Sequence, residues 1–360
     1  MKLSPRQKMD IRKVLVITIG FIFVNTFIAL LIDSTLSSNY SLGHSKNYSF
    51  SSYILLSVLL GLMAGGLGGV GLVVVNNYVF RKKSFGYGLA STAIFFVLVF
   101  GIINTINAIV ITMLTLDNPS ISEIISVSSG FILNPLTLII FLLWAVVTVF
   151  SLFLLQVNDK FGPGVLWKFI RGQYHKPREE ERIFMFADMR SSTSIAEKIG
   201  HKQYFNLLSD LFADITNTIL NFEGEIYQYV GDEIVISWPL KKGIKEANCL
   251  RCFLQIEQKL LDLGPKYEVN YGVRPELKAG IHHGKVTAGE IGVIKRDIVY
   301  TGDVLNTTAR IQEQCNNFNV NLLISENTLT LLEVTDLEIE AMGEFDLRGK
   351  ESLVSLYTVH

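Results

Sequence analysis

Four long apolar stretches fill the first 157 residues, and they constrain the chain more than any other feature. They run from about Val14 to Ile32, Tyr53 to Val75, Leu89 to Leu116 and Phe131 to Val157. Each is long enough to cross a hydrocarbon layer of roughly 30 Å as a helix. Inside lipid no water satisfies the backbone, so such segments are helices. The sequence therefore predicts a transmembrane domain of four helices over residues 1–157. The first stretch is too long for the apolar core of a signal peptide, and no small-residue cleavage site follows it.

Charge in the connections orients these spans. Lys2, Arg6, Lys8, Arg12 and Lys13 precede the first, Arg81, Lys82 and Lys83 separate the second from the third, and Lys160, Lys168, Arg171 and Lys176 follow the fourth. The other two loops hold Lys46 as their one cation. The positive-inside rule then predicts a multi-pass protein of the cell (inner) membrane with the N-terminus and everything after residue 157 in the cytoplasm. No span carries an acid or base at its middle, which argues against an ion-coupled pump and for an anchor, dimeriser or sensor in the lipid bilayer. Gly61, Gly65 and Gly69 form a small-residue face suited to close helix contact, within one bundle or between two chains. Asn25, Asn104, Thr105 and Asn107 read as interhelical hydrogen-bonding groups.

The remainder is an ordinary soluble sequence. Its Lys and Arg (32) and Asp and Glu (33) nearly cancel over the whole chain, so nucleic acid is not an expected partner. Cys249, Cys252 and Cys315 read as buried thiols of a reducing compartment, because the CxxC pair sits on a helical pattern with no second ligand pair. Residues 158–181 form a linker broken at Gly162-Pro163-Gly164, with Trp167 suited to the membrane surface and a charged run from Arg178 to Arg182. Residues 182–360 form one domain. A short buried strand at Ile183–Phe186 ends on Asp188, and Ser191–Ser194 offer capping hydroxyls to a following helix. Gln203–Phe222 is an amphipathic helix with Phe205, Leu208, Leu211, Phe212, Ile215 and Ile219 on its apolar face. Glu225–Trp238 is a hairpin turning at Gly231-Asp232, and Lys245–Leu263 a second long helix. Leu277–His282 and Lys285–Ile291 are strands flanking a turn at His283-Gly284. Then come a strand at Asp297–Tyr300, a helix at Gly302–Cys315, a strand at Asn321–Ile324 and a closing hairpin around Arg348-Gly349-Lys350.

The core order of strand, helix, strand, strand, helix, strand predicts an α+β, ferredoxin-like fold, an antiparallel sheet with two helices on one face. That topology sets the end of the first strand beside the hairpin turn, so Asp188 faces Asp232. Two carboxylates so placed suit two Mg²⁺ ions in phosphoryl chemistry. Asn306 and Arg310, four apart, share a helix face, and together suit a phosphorus centre gathering negative charge.

These motifs together resemble the class III nucleotidyl cyclase family, over residues 182–360. They are Phe186-x-Asp188, Gly231-Asp232, Gly280-Ile281-His282-His283-Gly284 and the run from Gly302-Asp303 through Asn306 to Arg310. The resemblance implies a palm-like catalytic domain that turns a nucleoside triphosphate into a 3′,5′-cyclic nucleotide and pyrophosphate in intracellular signalling. It implies Asp188 and Asp232 as ligands of two Mg²⁺ (or Mn²⁺) ions per site, and Asn306 and Arg310 as transition-state residues. It implies phosphate contacts from Ser191, Ser192, Thr193 and Lys278, with Arg348 or Lys350 at the terminal phosphates. In this family the aspartates and the Asn–Arg pair come from opposite subunits, so a homodimer with composite sites is expected. The base-selecting positions depart from the family pattern. Gln228 stands where adenylyl members carry Lys and guanylyl members Glu, and Val299 stands where Asp or Thr is usual. A Gln amide donates and accepts, so it can read either purine edge, and Val299 offers no hydrogen bond; ATP is favoured over GTP on family architecture alone. The alternatives are a guanylate cyclase and a catalytically silent nucleotide-binding receptor. Gly231-Asp232-Glu233 also resembles the diguanylate cyclase signature, but Val230 replaces its first glycine.

Overall fold

The computed structural model describes residues 3–39, 50–75, 77, 85–115, 120–132, 134–161, 171–294, 296–346 and 353–359. The chain divides into two compact units, residues 7–166 and, chiefly, residues 167–360.

The first unit is helical: α1 (Pro5–Asn39), α2 (Phe50–Val74), α3 (Phe85–Thr115), α4 (Ile121–Ile132) and α5 (Pro135–Phe161). Among the described residues three helices are long and apolar enough to cross a membrane, over Pro5–Leu31, Phe50–Val74 and Thr137–Asp159. The apolar run of α3 spans Ala90–Ile106 and is shorter. The expected fourth span begins later than Phe131. Pro135 lacks an N–H and opens α5 as its first helical residue, so the chain breaks at Asn134 between α4 and α5. Phe23 and Val146 leave about 70% of their surface outward, an arrangement lipid accepts and water opposes.

The glycine face of α2 packs within this bundle. A Cβ on Gly61 would lie 2.8 Å from Ile22 Cα, and one on Gly65 would lie 2.6 Å from Thr18 Cα. The backbones of α1 and α2 touch there because no side chain intervenes. Asn25 Nδ2 donates to Ser57 O across the same pair at 2.6 Å. Asn104 and Thr105 instead bond back to Phe100 O and Gly101 O on their own helix. The side chain of Asn107 lies outside the described residues, as do the cations of the loops at Lys46 and Arg81–Lys83 and the linker at 162–170.

The second unit is built on one eight-stranded sheet. Its strands are β1 (Arg178–Met189), β2 (Glu225–Val230), β3 (Glu233–Pro239), β4 (Leu277–Ile291), β5 (Asp297–Thr301), β6 (Leu322–Ser325), β7 (Ile339–Phe345) and β8 (Val354–Val359). They run in the order β2-β3-β1-β4-β6-β8-β7, with β5 paired to β4. The four core strands β2-β3-β1-β4 are antiparallel, in ferredoxin-like order. The helices are α6 (Ser192–Ile199), α7 (His201–Asn221), the short α8 (Leu240–Ile244), α9 (Asn248–Tyr271), α10 (Asp303–Phe318) and the short α11 (Glu326–Leu329). α7 and α9 cover one face, where Leu207, Leu211, Ile215, Phe253 and Ile256 pack on Ile183, Met185, Ile236 and Ile281. α10 lies on the opposite face, with Val304 against Phe184, Val286 and Tyr300.

Several local expectations change. β4 is one continuous strand, with no turn at His283-Gly284. β1 holds it in register along its length, from Met189 opposite Leu277 to Arg178 opposite Ala288. Gly284 lacks a side chain for packing: a Cβ there would lie 2.5 Å from Val304 Cγ2. The charged run Arg178–Glu181 is therefore strand, with Arg182 buried on Glu180, Glu225 and Ser237. Phe205 is 72% exposed, and Leu207 takes the inward place. Cys249, Cys252 and Cys315 are buried free thiols, and burial pushes the Cys249 thiol up to about 12.

Candidate active site at the end of the first strand

β1 is buried from Ile183 to Ala187 and delivers Asp188 at its end, opposite Glu233 on β3 and Lys278 on β4. The β2–β3 loop has two residues, Gly231 and Asp232, and Gly231 takes φ 63°, where a Cβ is disfavoured. Asp232 thus stands beside Asp188, as the topology predicts. Asp188 Oδ2 lies 3.3 Å from Lys278 Nζ and accepts a hydrogen bond from Gln312 Nε2 at 3.4 Å.

Burial raises the Asp188 carboxyl above its ordinary pKa; the charge of Asp232 adds to the rise, and Lys278 opposes it. Glu233 is pushed up to about 7, by burial first and then by Asp188 and Asp232. Three carboxylates thus meet one ammonium, which leaves a demand for positive charge. Among the described residues no three His, Cys, Asp or Glu side chains form a complete metal cage. The donor set still fits Mg²⁺, which takes one or two hard carboxylates and fills its shell with water and phosphate. The Tyr204 hydroxyl lies at this spot beside Asp232 and Ser192, and burial, then the charge of Asp232, pushes it up to about 12.

The turn out of β1 differs from the expected cap. Ser191 adopts φ 55°, and no side chain caps α6. Such a left-handed conformation is costly for a residue with a Cβ and clusters at functional turns. Arg190 pins the turn, its Nε donating to Asn321 Oδ1 at 2.6 Å and its NH2 group to Val320 O. Ser191 and Thr193 are exposed and Ser192 is half-buried. The first N–H groups of α6 have no intrahelical acceptor. Lys278 is 8% exposed and already committed to Asp188.

Asn306 is exposed and Arg310 half-buried on α10. Among the described residues neither is bonded to Asp188 or Asp232. Gln228 is exposed beside a bulge in β2, and Val299 lies in β5 opposite Gly289. Tyr227 Oη accepts from Tyr300 N at 3.2 Å, which ties β2 to β5 one residue from each of these two positions. Arg348 and Lys350 lie outside the described residues, although β7 and β8 pair as the expected hairpin. Sequence reasoning missed Glu233, Gln312 and Tyr204. Glu233 was in plain view beside Asp232, whereas Gln312 and Tyr204 carry no motif and reach the site through tertiary packing alone.

The sequence model of the adenylate and guanylate cyclase catalytic domain matches residues 174–360. Adenylate cyclase 2 of Rhizobium meliloti (strain 1021) is 37% identical over 200 residues, 55% of this chain and 55% of its own. The receptor-type guanylate cyclase gcy-28 of Caenorhabditis elegans is 27% identical over 173 residues, 46% of this chain and 13% of its own. The chain thus spans about half the length of the first of these relatives and a small part of the second. A solved bacterial light-regulated adenylyl cyclase shares the fold with a TM-score of 0.55 at 19% identity, over 62% of this chain and 65% of that one. With the matched segment holding the sheet, the paired aspartates and the Asn–Arg helix, the chain belongs to the class III adenylate and guanylate cyclase family.

Proposed function

We propose that the protein is a membrane-anchored nucleotidyl cyclase that converts ATP, in preference to GTP, into 3′,5′-cyclic nucleotide and pyrophosphate. The observation that carries this reading is the convergence of Asp188 and Asp232, with Lys278 and Gln312 holding the Asp188 carboxylate. In the reaction the ribose 3′-oxygen forms a bond to the α-phosphorus, the bond from that phosphorus to the β-phosphate oxygen breaks, and the hydroxyl proton leaves to solvent. Two Mg²⁺ (or Mn²⁺) ions on Asp188 and Asp232 would activate the attacking oxygen and neutralise the leaving group. The Ser191–Thr193 turn offers backbone N–H groups and hydroxyls to the phosphates. Lys278, now paired with Asp188, would contact the same anions. Arg348 or Lys350 would take the same role at the terminal phosphates.

Asn306 and Arg310 would stabilise charge at the α-phosphorus. Neither reaches the aspartates of its own chain, which supports a homodimer in which each site joins Asp188 and Asp232 of one copy to Asn306 and Arg310 of the other. Mixing an Asp188→Ala chain with an Arg310→Ala chain should then restore part of the activity that each lacks alone. No recovery over the single mutants would count against the composite site.

The preference for ATP is supported by the 37%-identical relative, itself named an adenylate cyclase. Gln228 keeps a second reading, GTP, open, since its amide can serve either purine edge. Product analysis of the full-length protein with ATP, then GTP, under Mg²⁺ and Mn²⁺ tests both. Cyclic AMP as the main product supports the first reading, cyclic GMP the second, and no cyclic product refutes both. We place residues 1–157 in the cell membrane as anchor, dimeriser or sensor, residues 158–181 as linker and residues 182–360 as catalytic domain. The distribution of Lys and Arg supports a cytoplasmic N-terminus and catalytic domain.

A further inference from the structure

Base selection in this chain falls to an ambivalent pair. The Gln228 amide can serve either purine edge, and Val299 offers no hydrogen bond. Such a pair discriminates only if the base is held at one fixed place against the amide. What needs fixing is the distance between β2, which carries Gln228, and β5, which carries Val299.

The sheet ladder does not fix it. β3, β1 and β4 stand between the two strands, and four steps of about 4.8 Å would leave them roughly 19 Å apart in a flat sheet. The sheet instead curls, and a side chain closes the gap. Tyr227 Oη accepts from Tyr300 N at 3.2 Å, and the two rings meet edge to face with centroids 5.0 Å apart. Phe184 of β1 meets both rings edge-on, and the Arg182 guanidinium lies over the Tyr300 ring, 4.9 Å from its centroid. β2 makes room for this bond. Its register against β3 steps from Ile226 opposite Ile236 to Gln228 opposite Val235, so Tyr227 is the extra residue of a β-bulge. Bulges re-aim a side chain and recur beside active sites. The bulge, the hydrogen bond and the ring cluster all fall next to Gln228 and Val299. We propose that Tyr227 is a positioning residue for base selection: its bond to β5 sets the slot between Gln228 and Val299 and so decides which purine edge the amide meets. The proposal rests on the cyclase reading, in which Gln228 and Val299 flank the base.

Tyr227→Phe removes the acceptor and keeps the ring. Tyr300→Phe alters the same cluster but keeps the backbone N–H that donates. The full-length protein in detergent is assayed for kcat/KM with ATP and with GTP under Mn²⁺, alongside its melting temperature. In Tyr227→Phe the parent's preference for one base should fall about fivefold, the effect of one neutral hydrogen bond, or to parity where the parent's preference is smaller than that. In Tyr300→Phe it should stay within twofold of the parent. Where a variant turns over too slowly, calorimetric affinities for 3′-deoxy-ATP and 3′-deoxy-GTP, which bind without cyclising, give the same ratio. An unchanged or sharper preference in Tyr227→Phe would overturn the proposal, including the case where kcat/KM drops equally for both nucleotides, as loss of a merely structural hydroxyl would make it. So would an equal shift in both variants, which would assign the effect to ring packing, or a Tyr227→Phe chain that fails to fold, or a parent that prefers neither base by twofold. A parent that forms no cyclic product from either nucleotide would sink the cyclase reading and this proposal together, a result distinct from any of the others.

Discussion

Gly280 offers a sharp test of how the site is assembled. It lies in β4 directly under α10, the helix that carries Asn306, Arg310 and Gln312. A Cβ at this position would sit 2.5 Å from Gln312 N, 2.8 Å from Thr308 O and 2.9 Å from Gln312 Cα. All three are backbone atoms, so no side chain can swing aside. Moving the closest contact out to ordinary van der Waals distance requires α10 to rise by about 1 Å. Forcing one extra carbon into a packed interface costs about 1–3 kcal/mol, and a displacement of about 1 Å in catalytic groups can lower turnover by about a hundredfold. Gly280→Ala should therefore lower the melting temperature by several degrees and cyclase turnover by at least about tenfold. Gly289→Ala, in the same strand, is the control. Its Cβ would meet Pro177 no closer than 3.5 Å, so stability and turnover should stay within twofold of the parent. Melting curves at one fixed scan rate and initial rates of cyclic nucleotide formation are the measurements. If Gly280→Ala behaves like Gly289→Ala on both, the reasoning that α10 is seated by backbone contact is wrong.

Three further outcomes are expected. In α2, Gly65→Leu should force α1 away from Thr18 and lower the melting temperature in detergent, at a cost of about 1–3 kcal/mol; Gly66→Leu, with nothing within 4 Å, should be tolerated, and equal melts would refute the intrabundle contact. Arg182→Met removes a buried cation and strands the carboxylates of Glu180 and Glu225, so denaturant unfolding should show a loss of about 3 kcal/mol; an unchanged midpoint would contradict it. Burial lowers the His283 pKa, against a smaller opposing pull from Glu181. The unfolded chain then takes up the proton first, so this group's stabilisation holds above about pH 6.5 and is lost as the pH falls towards the lowered folded value. His283→Gln should flatten the decline in melting temperature between pH 7 and pH 5, and parallel slopes for the two proteins would rule the effect out.

The amino-acid sequence determined by itself whatever is local or periodic. Apolar runs the length of a bilayer can only be helices in lipid, so their existence was legible, although Pro135 moved the start of the last. The strand and helix order gave the ferredoxin-like core, and that topology alone predicted Asp188 beside Asp232. The tertiary structure decided what depends on packing between distant segments. His283-Gly284 in β4 looked like a turn because glycine is common in turns; only Val304 of the helix above shows that Gly284 is an absent side chain. The serines after Asp188 looked like caps, yet Ser191 in its left-handed conformation caps nothing. Gln312 reaches Asp188 across 124 residues of chain, and Tyr204 meets the same site from a different helix. Backbone propensity is set by near neighbours, whereas the charge, burial and hydrogen bonding of a site are set by groups that only the folded chain brings together.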